Sequence, residues 1–153
     1  MKKLIYTLLI IIALTNNSFS AGDSNTTAKA SDYTKAKNLI NAAKKYEKKG
    51  KIEKAQKLLL ISNKKKPLQA DTLNYLGFTT RKLGDYEKGE KFYLQGLQIE
   101  PNHNGINEYL GELYVTTNRM DMAKERLEVL KTCNCEEFNE LKEIIEGTKK
   151  SKY

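Results

Sequence analysis

Apolar and small residues in the middle of the chain recur with the period of an α-helix. Leu73, Leu76, Gly77 and Thr80 fall at positions 0, +3, +4 and +7, which is the spacing of one helical face. After a break at 83–86, a second amphipathic stretch begins. The pattern therefore predicts two helices that pack against each other as a hairpin, with small residues where they cross closely.

The break between these two helices carries the residues that a tight turn requires. Gly84 suits the left-handed position that follows a helix, and Asp85 suits the N-cap of the next one. Pro101 ends the second helix, because proline cannot continue a helix interior. One unit thus contains two amphipathic helices and a turn between them.

The unit recurs with a period of 34 residues. Residues 34 apart are identical at several positions, namely Gly50 and Gly84, Pro67 and Pro101, Leu76 and Leu110, and Gly77 and Gly111. The repeats are predicted at 36–69, 70–103 and 104–137. A single hairpin cannot bury its apolar face, so the hairpins are expected to stack in register with Gly77 and Gly111 in equivalent surroundings.

A further amphipathic segment follows the third repeat, at 136–146. Phe138, Leu141 and Ile145 share one face of this segment, and acidic residues occupy the other. The end of a solenoid otherwise exposes an apolar face, so this segment is predicted to be a capping helix. The predicted fold is all-α, a solenoid over 35–146, with a C-terminal tail at 147–153.

Several residues of the repeats resemble the tetratricopeptide repeat signature. They are Leu-Gly at 76–77, Gly84, Tyr86, Tyr93, Pro101, Leu-Gly-x-x-Tyr at 110–114 and Ala123. The resemblance covers 36–137, and the chain is similar to small exported bacterial proteins of this class. It implies a helix-hairpin solenoid of three repeats that binds another protein or a peptide, without catalysis, in a concave groove lined by the first helix of each hairpin.

The register of the resemblance assigns eight residues to that groove: Lys44, Lys48, Tyr75, Phe78, Arg81, Lys82, Tyr109 and Glu112. Aromatic rings flanked by cations suit an extended peptide, and Arg81 could pair with a carboxylate. The alternative is that the rings pack against neighbouring helices. The lysine-and-asparagine clamp that some relatives use for a terminal carboxylate is not reproduced, because Ile40, Tyr75 and Tyr109 occupy three of its positions.

The N-terminus has the pattern of a signal peptide. Lys2 and Lys3 precede a charge-free run at 4–14, and Ser18-Phe19-Ser20 forms a small-x-small site before Ala21. This site predicts cleavage after Ser20. The apolar run of eleven residues is shorter than the roughly 20 residues needed to span a membrane, so cleavage is favoured over the alternative, a retained membrane anchor. The mature protein is expected in the bacterial periplasm or beyond, with a flexible lead-in at 21–34.

Charge is distributed unevenly along the 153 residues, whose formal net charge is +8. Residues 21–69 hold thirteen lysines against four acids, whereas the two later repeats are slightly acidic. Besides the groove lysines, a basic patch is predicted from Lys45, Lys49, Lys51, Lys64, Lys65 and Lys66. It could contact an acidic protein, anionic lipid or a wall polymer, or be only a solvated face. Nucleic acid is not expected as a partner, because the lysines lack interleaved arginines and aromatics.

Few residues could carry chemistry. Cys133 and Cys135 can form a local disulfide in an oxidising compartment; a thiol or copper site is the alternative. His103 is the only histidine and is interpreted as an exposed loop residue. No catalytic residue, cofactor or metal site is predicted, so we expect no enzyme. The oligomeric state is left open, with a monomer expected.

Overall fold

The computed structural model describes residues 30–151, and this part of the chain forms seven α-helices and no strand. The helices are α1 (Ala30–Lys48), α2 (Ile52–Lys65), α3 (Ala70–Lys82), α4 (Tyr86–Ile99), α5 (Asn104–Thr116), α6 (Met120–Leu130) and α7 (Glu136–Ile145). The predicted all-α class is confirmed. The predicted signal peptide lies outside the described residues. None of the described helices combines the length and apolar character needed to cross a membrane.

The turn chemistry of the hairpins agrees with the prediction. Gly84 has a φ of 92°, and its equivalent Gly50 has a φ of 69°. The third hairpin places Asn118 there with a φ of 58°, which asparagine tolerates better than most residues. The Asp85 side chain accepts a hydrogen bond of 3.0 Å from the backbone N–H of Lys88 and so caps α4.

The first helix begins earlier than the repeat register predicts. α1 begins at Ala30, within the segment 21–34 that was expected to be a flexible lead-in. The sequence from 30 to 48 contains no glycine or proline. Once a helix is nucleated, each added residue gains a hydrogen bond, so α1 extends beyond the part that the hairpin requires.

The helices pair as three hairpins, α1 with α2, α3 with α4, and α5 with α6. Successive hairpins stack, since α3 packs on α2 and α5 packs on α4. In addition, α3 contacts α5, and α5 contacts α7. Lys44 on α1 lies over the ring of Tyr75 on α3, so α1 lies beside α3. We call the first helices of the hairpins and α7 the inner helices.

The capping helix α7 continues the register of the repeats. Leu141 and Ile144, both buried, lie 34 residues after Asn107 and Leu110. The Leu141 side chain occupies the space where a Cβ on Gly111 would lie. α7 therefore takes the place of the first helix of a fourth repeat.

Gly77 and Gly111 are both buried at close helix contacts, but their neighbours differ. A Cβ on Gly77 would meet the ring of Tyr93 on α4, whereas a Cβ on Gly111 would meet Leu141 on α7. The residue equivalent to Tyr93 in the third repeat is Leu127, and the Gly111 position is instead filled from the capping helix. Gly77 and Gly111 are therefore equivalent in being closely packed, but the side chain packed against each of them is different.

Candidate functional site: the groove of the inner helices

All eight residues predicted for the groove lie on inner helices, namely α1, α3 and α5. They differ in exposure. Lys48 and Lys82 are exposed, and Lys44, Tyr75 and Tyr109 are half-buried. Phe78, Arg81 and Glu112 are buried. The first two groups can meet a partner directly, whereas the third group forms the floor of the groove.

Arg81 and Glu112 form an ion pair that joins the second and third hairpins. The Arg81 Nη2 lies 3.0 Å from the Glu112 Oε2, and both side chains are 0% exposed. The Arg81 Nη1 also donates to the backbone oxygen of Tyr109 at 2.7 Å. The guanidinium that was expected to pair with a ligand carboxylate therefore pairs with Glu112 inside the chain.

Aromatic side chains form the wall of the groove beside this pair. The rings of Phe78 and Tyr109 have centroids 5.3 Å apart and are tilted by 43°. The ammonium of Lys44 lies 4.6 Å from the centroid of Tyr75, and that of Lys82 lies 5.9 Å from Phe78. Phe78 therefore packs against a neighbouring helix, which is the alternative to contact with a peptide. Tyr75 and Tyr109 are only half-buried and remain partly accessible.

The two ends of the groove differ in charge. A hollow of about 260 Å³ lies between α1 and α3, and its lining includes Lys37, Lys44 and Lys66. A second hollow of about 190 Å³ lies between α5 and α7. The second hollow is lined by Tyr109 and four acids, Glu108, Glu136, Glu137 and Glu140. Sequence reasoning missed this acidic end, because it treated α7 only as a cap.

The chain after α7 turns back into the groove. Gly147 has a φ of 74°, and the backbone N–H groups of Thr148 and Lys149 both donate to the backbone oxygen of Glu143. The Ser151 hydroxyl then donates to the Glu112 Oε2 at 2.9 Å. Nothing in the sequence pattern places Ser151 there; the only local signal is the glycine that ends α7.

Residues 70–103, which form the second hairpin, match the family model of the tetratricopeptide repeat. The chain contains a tetratricopeptide repeat. The hairpins at 36–69 and 104–137 have the same organisation, so the whole solenoid has the tetratricopeptide fold that the sequence resemblance implied. A search of curated proteins found no match to the chain.

Solved tetratricopeptide (TPR) structures share this fold at low sequence identity. The second TPR domain of human RPAP3, in complex with an HSP70 peptide, is 17% identical with a TM-score of 0.64, over 75% of this chain and 98% of that chain. The Yersinia enterocolitica secretion chaperone SycD, with a peptide of the translocator YopD, is 18% identical with a TM-score of 0.63, over 72% and 86%. PcrH, with the chaperone-binding region of PopD, is 16% identical with a TM-score of 0.65, over 75% and 91%.

His103 has a structural role at the boundary between two tetratricopeptide hairpins. Its Nδ1 accepts a hydrogen bond of 3.2 Å from the backbone N–H of Ile106, which caps α5. Its Nε2 lies 3.3 Å from Asp71, and this hydrogen bond lowers the pKa of the Asp71 carboxyl. His103 lies in the loop between α4 and α5 as predicted, but its side chain is only 14% exposed, so the interpretation of it as an exposed residue is wrong.

A second set of contacts joins the same tetratricopeptide hairpins on the side of α4. Both Nη atoms of Arg119 donate to the carboxylate of Glu90 at 2.8 Å. The Arg119 guanidinium also lies 4.5 Å from the ring centroid of Tyr114. Burial and the nearby Glu90 raise the pKa of Tyr114 to about 12. These contacts therefore help to hold the second and third hairpins together.

The lysines of the predicted basic patch lie in two groups, one at each end of α2. Lys45, Lys49 and Lys51 lie near the turn between α1 and α2. The others, at 64–66, lie at the opposite end of α2, about 20 Å away along the helix at 1.5 Å per residue. Five of the six are exposed and Lys66 is half-buried.

Cys133 and Cys135 are joined by a disulfide in the loop between α6 and α7, with their Cα atoms 5.2 Å apart. The bonded sulfurs offer no thiolate to a metal. Within residues 30–151, no group of three or more histidine, cysteine, aspartate or glutamate side chains is arranged to hold a metal ion.

Proposed function

We propose that this protein is a non-catalytic interaction module that binds a peptide or the edge of another protein in the groove of its inner helices. The observation that carries the proposal is the pair of half-buried tyrosines, Tyr75 and Tyr109, on the groove between a basic and an acidic end. The human RPAP3 domain and SycD, which have the same fold, are both solved with peptides.

Tyrosines in such a groove suit peptide binding for a physical reason. Their rings supply a large contact area while restricting only two side-chain torsions each, and the hydroxyl can form hydrogen bonds at the wet edge. Lys44 adds a cation beside the ring of Tyr75. The only histidine caps α5, and the two cysteines are bonded to each other, so these three residues have structural roles.

The groove can be tested with peptides selected from a random dodecapeptide library on the full-length protein. We expect Tyr75→Ala and Tyr109→Ala each to weaken the selected peptides at least tenfold, because each substitution removes a contact area of the groove. Binding is measured by fluorescence anisotropy. Tyr86→Ala is the matched control, since Tyr86 is 39% exposed on α4, outside the inner helices. Equal losses in all three variants, or none, would contradict the groove as the binding site.

We further propose that the module acts in the bacterial envelope after export. The support is the signal-peptide pattern of residues 1–20 together with the disulfide, which suits an oxidising compartment. N-terminal sequencing of the protein from a bacterial envelope fraction should find Ala21 as the first residue. A chain that keeps Met1 and remains in the cytosol would exclude this location.

A further inference from the structure

We infer that the acidic end of the groove accepts a lysine-containing segment, and that residues 148–151 of the chain itself lie against its edge, on Glu140 and Glu112, as an internal ligand. This inference rests on the proposed function, because it names the ligand class of the same groove. It also implies that an external partner must displace the tail before it can bind.

The tail is held at the groove by contacts at both of its ends. At its start, the left-handed Gly147 and the two hydrogen bonds to the Glu143 carbonyl reverse the chain direction after α7. At its far end, the Ser151 hydroxyl reaches the buried carboxylate of Glu112. These two residues are 39 apart in sequence, so the contact is a tertiary one and not a feature of the helix end.

The charges of the tail complement those of the groove. The ammonium of Lys149 lies 2.9 Å from the Glu140 Oε1, and 3.8 Å from the Glu143 Oε2. Glu140 lines the acidic hollow together with three further glutamates. The tail sequence continues with Lys150 and contains Lys152. A cationic segment with a hydroxyl side chain is therefore the chemistry that this end of the groove recognises.

The same charges disfavour an acidic ligand at this end. The peptide bound by the second TPR domain of human RPAP3 ends in Glu-Glu-Val-Asp. Here the hollow carries Glu108, Glu136, Glu137 and Glu140, and like charges brought together are repelled. A tethered tail also competes at an effective concentration in the millimolar range, which weakens any external ligand of the same class.

The test uses the full-length chain and a labelled synthetic peptide of the tail sequence, Thr-Lys-Lys-Ser-Lys-Tyr. A full-length tail variant carries Lys149→Gln, Lys150→Gln and Ser151→Ala, which removes the seated groups without shortening the chain. We expect the tail variant to bind the probe at least tenfold more tightly than the wild type. A control probe with its three lysines replaced by glutamine should bind the tail variant at least tenfold more weakly. Equal binding of the first probe by both chains overturns the inference.

A second measurement follows the tail without any added ligand. Ser151→Ala in the otherwise unchanged chain should speed tryptic cleavage after Lys149 and Lys150 at least fivefold, because the tail loses its hold on Glu112. Glu128→Gln, on exposed α6 surface, should leave the cleavage rate unchanged. Unchanged cleavage in Ser151→Ala overturns the inference.

The two proposals fail differently. If cleavage and probe binding are unchanged but library peptides still bind through Tyr75 and Tyr109, the internal ligand is excluded and the proposed function stands. If the tail variant binds the probe more tightly and Ser151→Ala accelerates cleavage, but Tyr75→Ala and Tyr109→Ala do not weaken the library peptides, the internal ligand stands and the proposed function of the tyrosine groove is excluded.

Discussion

Arg81→Met is expected to lower the free energy of unfolding by about 3–5 kcal/mol, because it removes the guanidinium that neutralises the buried Glu112 carboxylate. Both side chains of the Arg81–Glu112 pair are 0% exposed. The variant also loses the hydrogen bond to the Tyr109 carbonyl. Urea unfolding followed by circular dichroism at 222 nm measures the effect.

A double variant separates the charge effect from the loss of packing. Arg81→Met combined with Glu112→Leu removes both buried charges, so it should be more stable than Arg81→Met alone. Lys91→Met is the control, because the Lys91–Glu87 pair on α4 is exposed and its loss should not measurably change the midpoint. A small effect of Arg81→Met, close to that of the control, would show that the pair does not hold the hairpins together.

Leu141→Ala is expected to destabilise the protein by about 2–5 kcal/mol through loss of buried area and the cavity that remains. Leu141 is 0% exposed and is in direct contact with the Gly111 position of α5. Gly111→Ala is expected to cost about 1–3 kcal/mol, because its new methyl group would overlap the Leu141 side chain. Both losses are measured by urea unfolding.

The combination of these two substitutions should be less destabilising than the sum of the single effects. The alanine Cβ at 111 would enter part of the space that Leu141→Ala vacates, so the two changes couple directly. Leu94→Ala serves as the control, since Leu94 is 42% exposed on α4. Strict additivity of Gly111→Ala and Leu141→Ala would show that the Leu141 side chain of α7 does not fill the space beside Gly111.

The elements and their turns could be predicted because their signals are local. A helical face shows within two turns, as at Leu73, Leu76 and Gly77, and a turn depends on one or two residues such as Gly84 and Asp85. The 34-residue period then extended one hairpin to three. The start of α1 could not be predicted in the same way, since a helix without a breaker continues past its packed part.

The candidate site was predicted only in part. The repeat register placed the eight residues on the inner helices, because neighbouring turns of a helix determine which side chains share a face. It did not separate accessible residues such as Tyr75 from the buried Phe78. That separation depends on contacts between helices, as in the ring pair of Phe78 and Tyr109.

The sequence by itself determined the class of fold, the number of hairpins and the face of each helix, because periodicity and turn residues act over a few positions. The tertiary structure alone decided that Arg81 pairs with Glu112, that the His103 side chain lies beside Asp71, and that Ser151 returns to the groove. These contacts join residues 31 to 39 positions apart. Such pairs form only when stacked hairpins bring distant side chains together, so no local pattern records them.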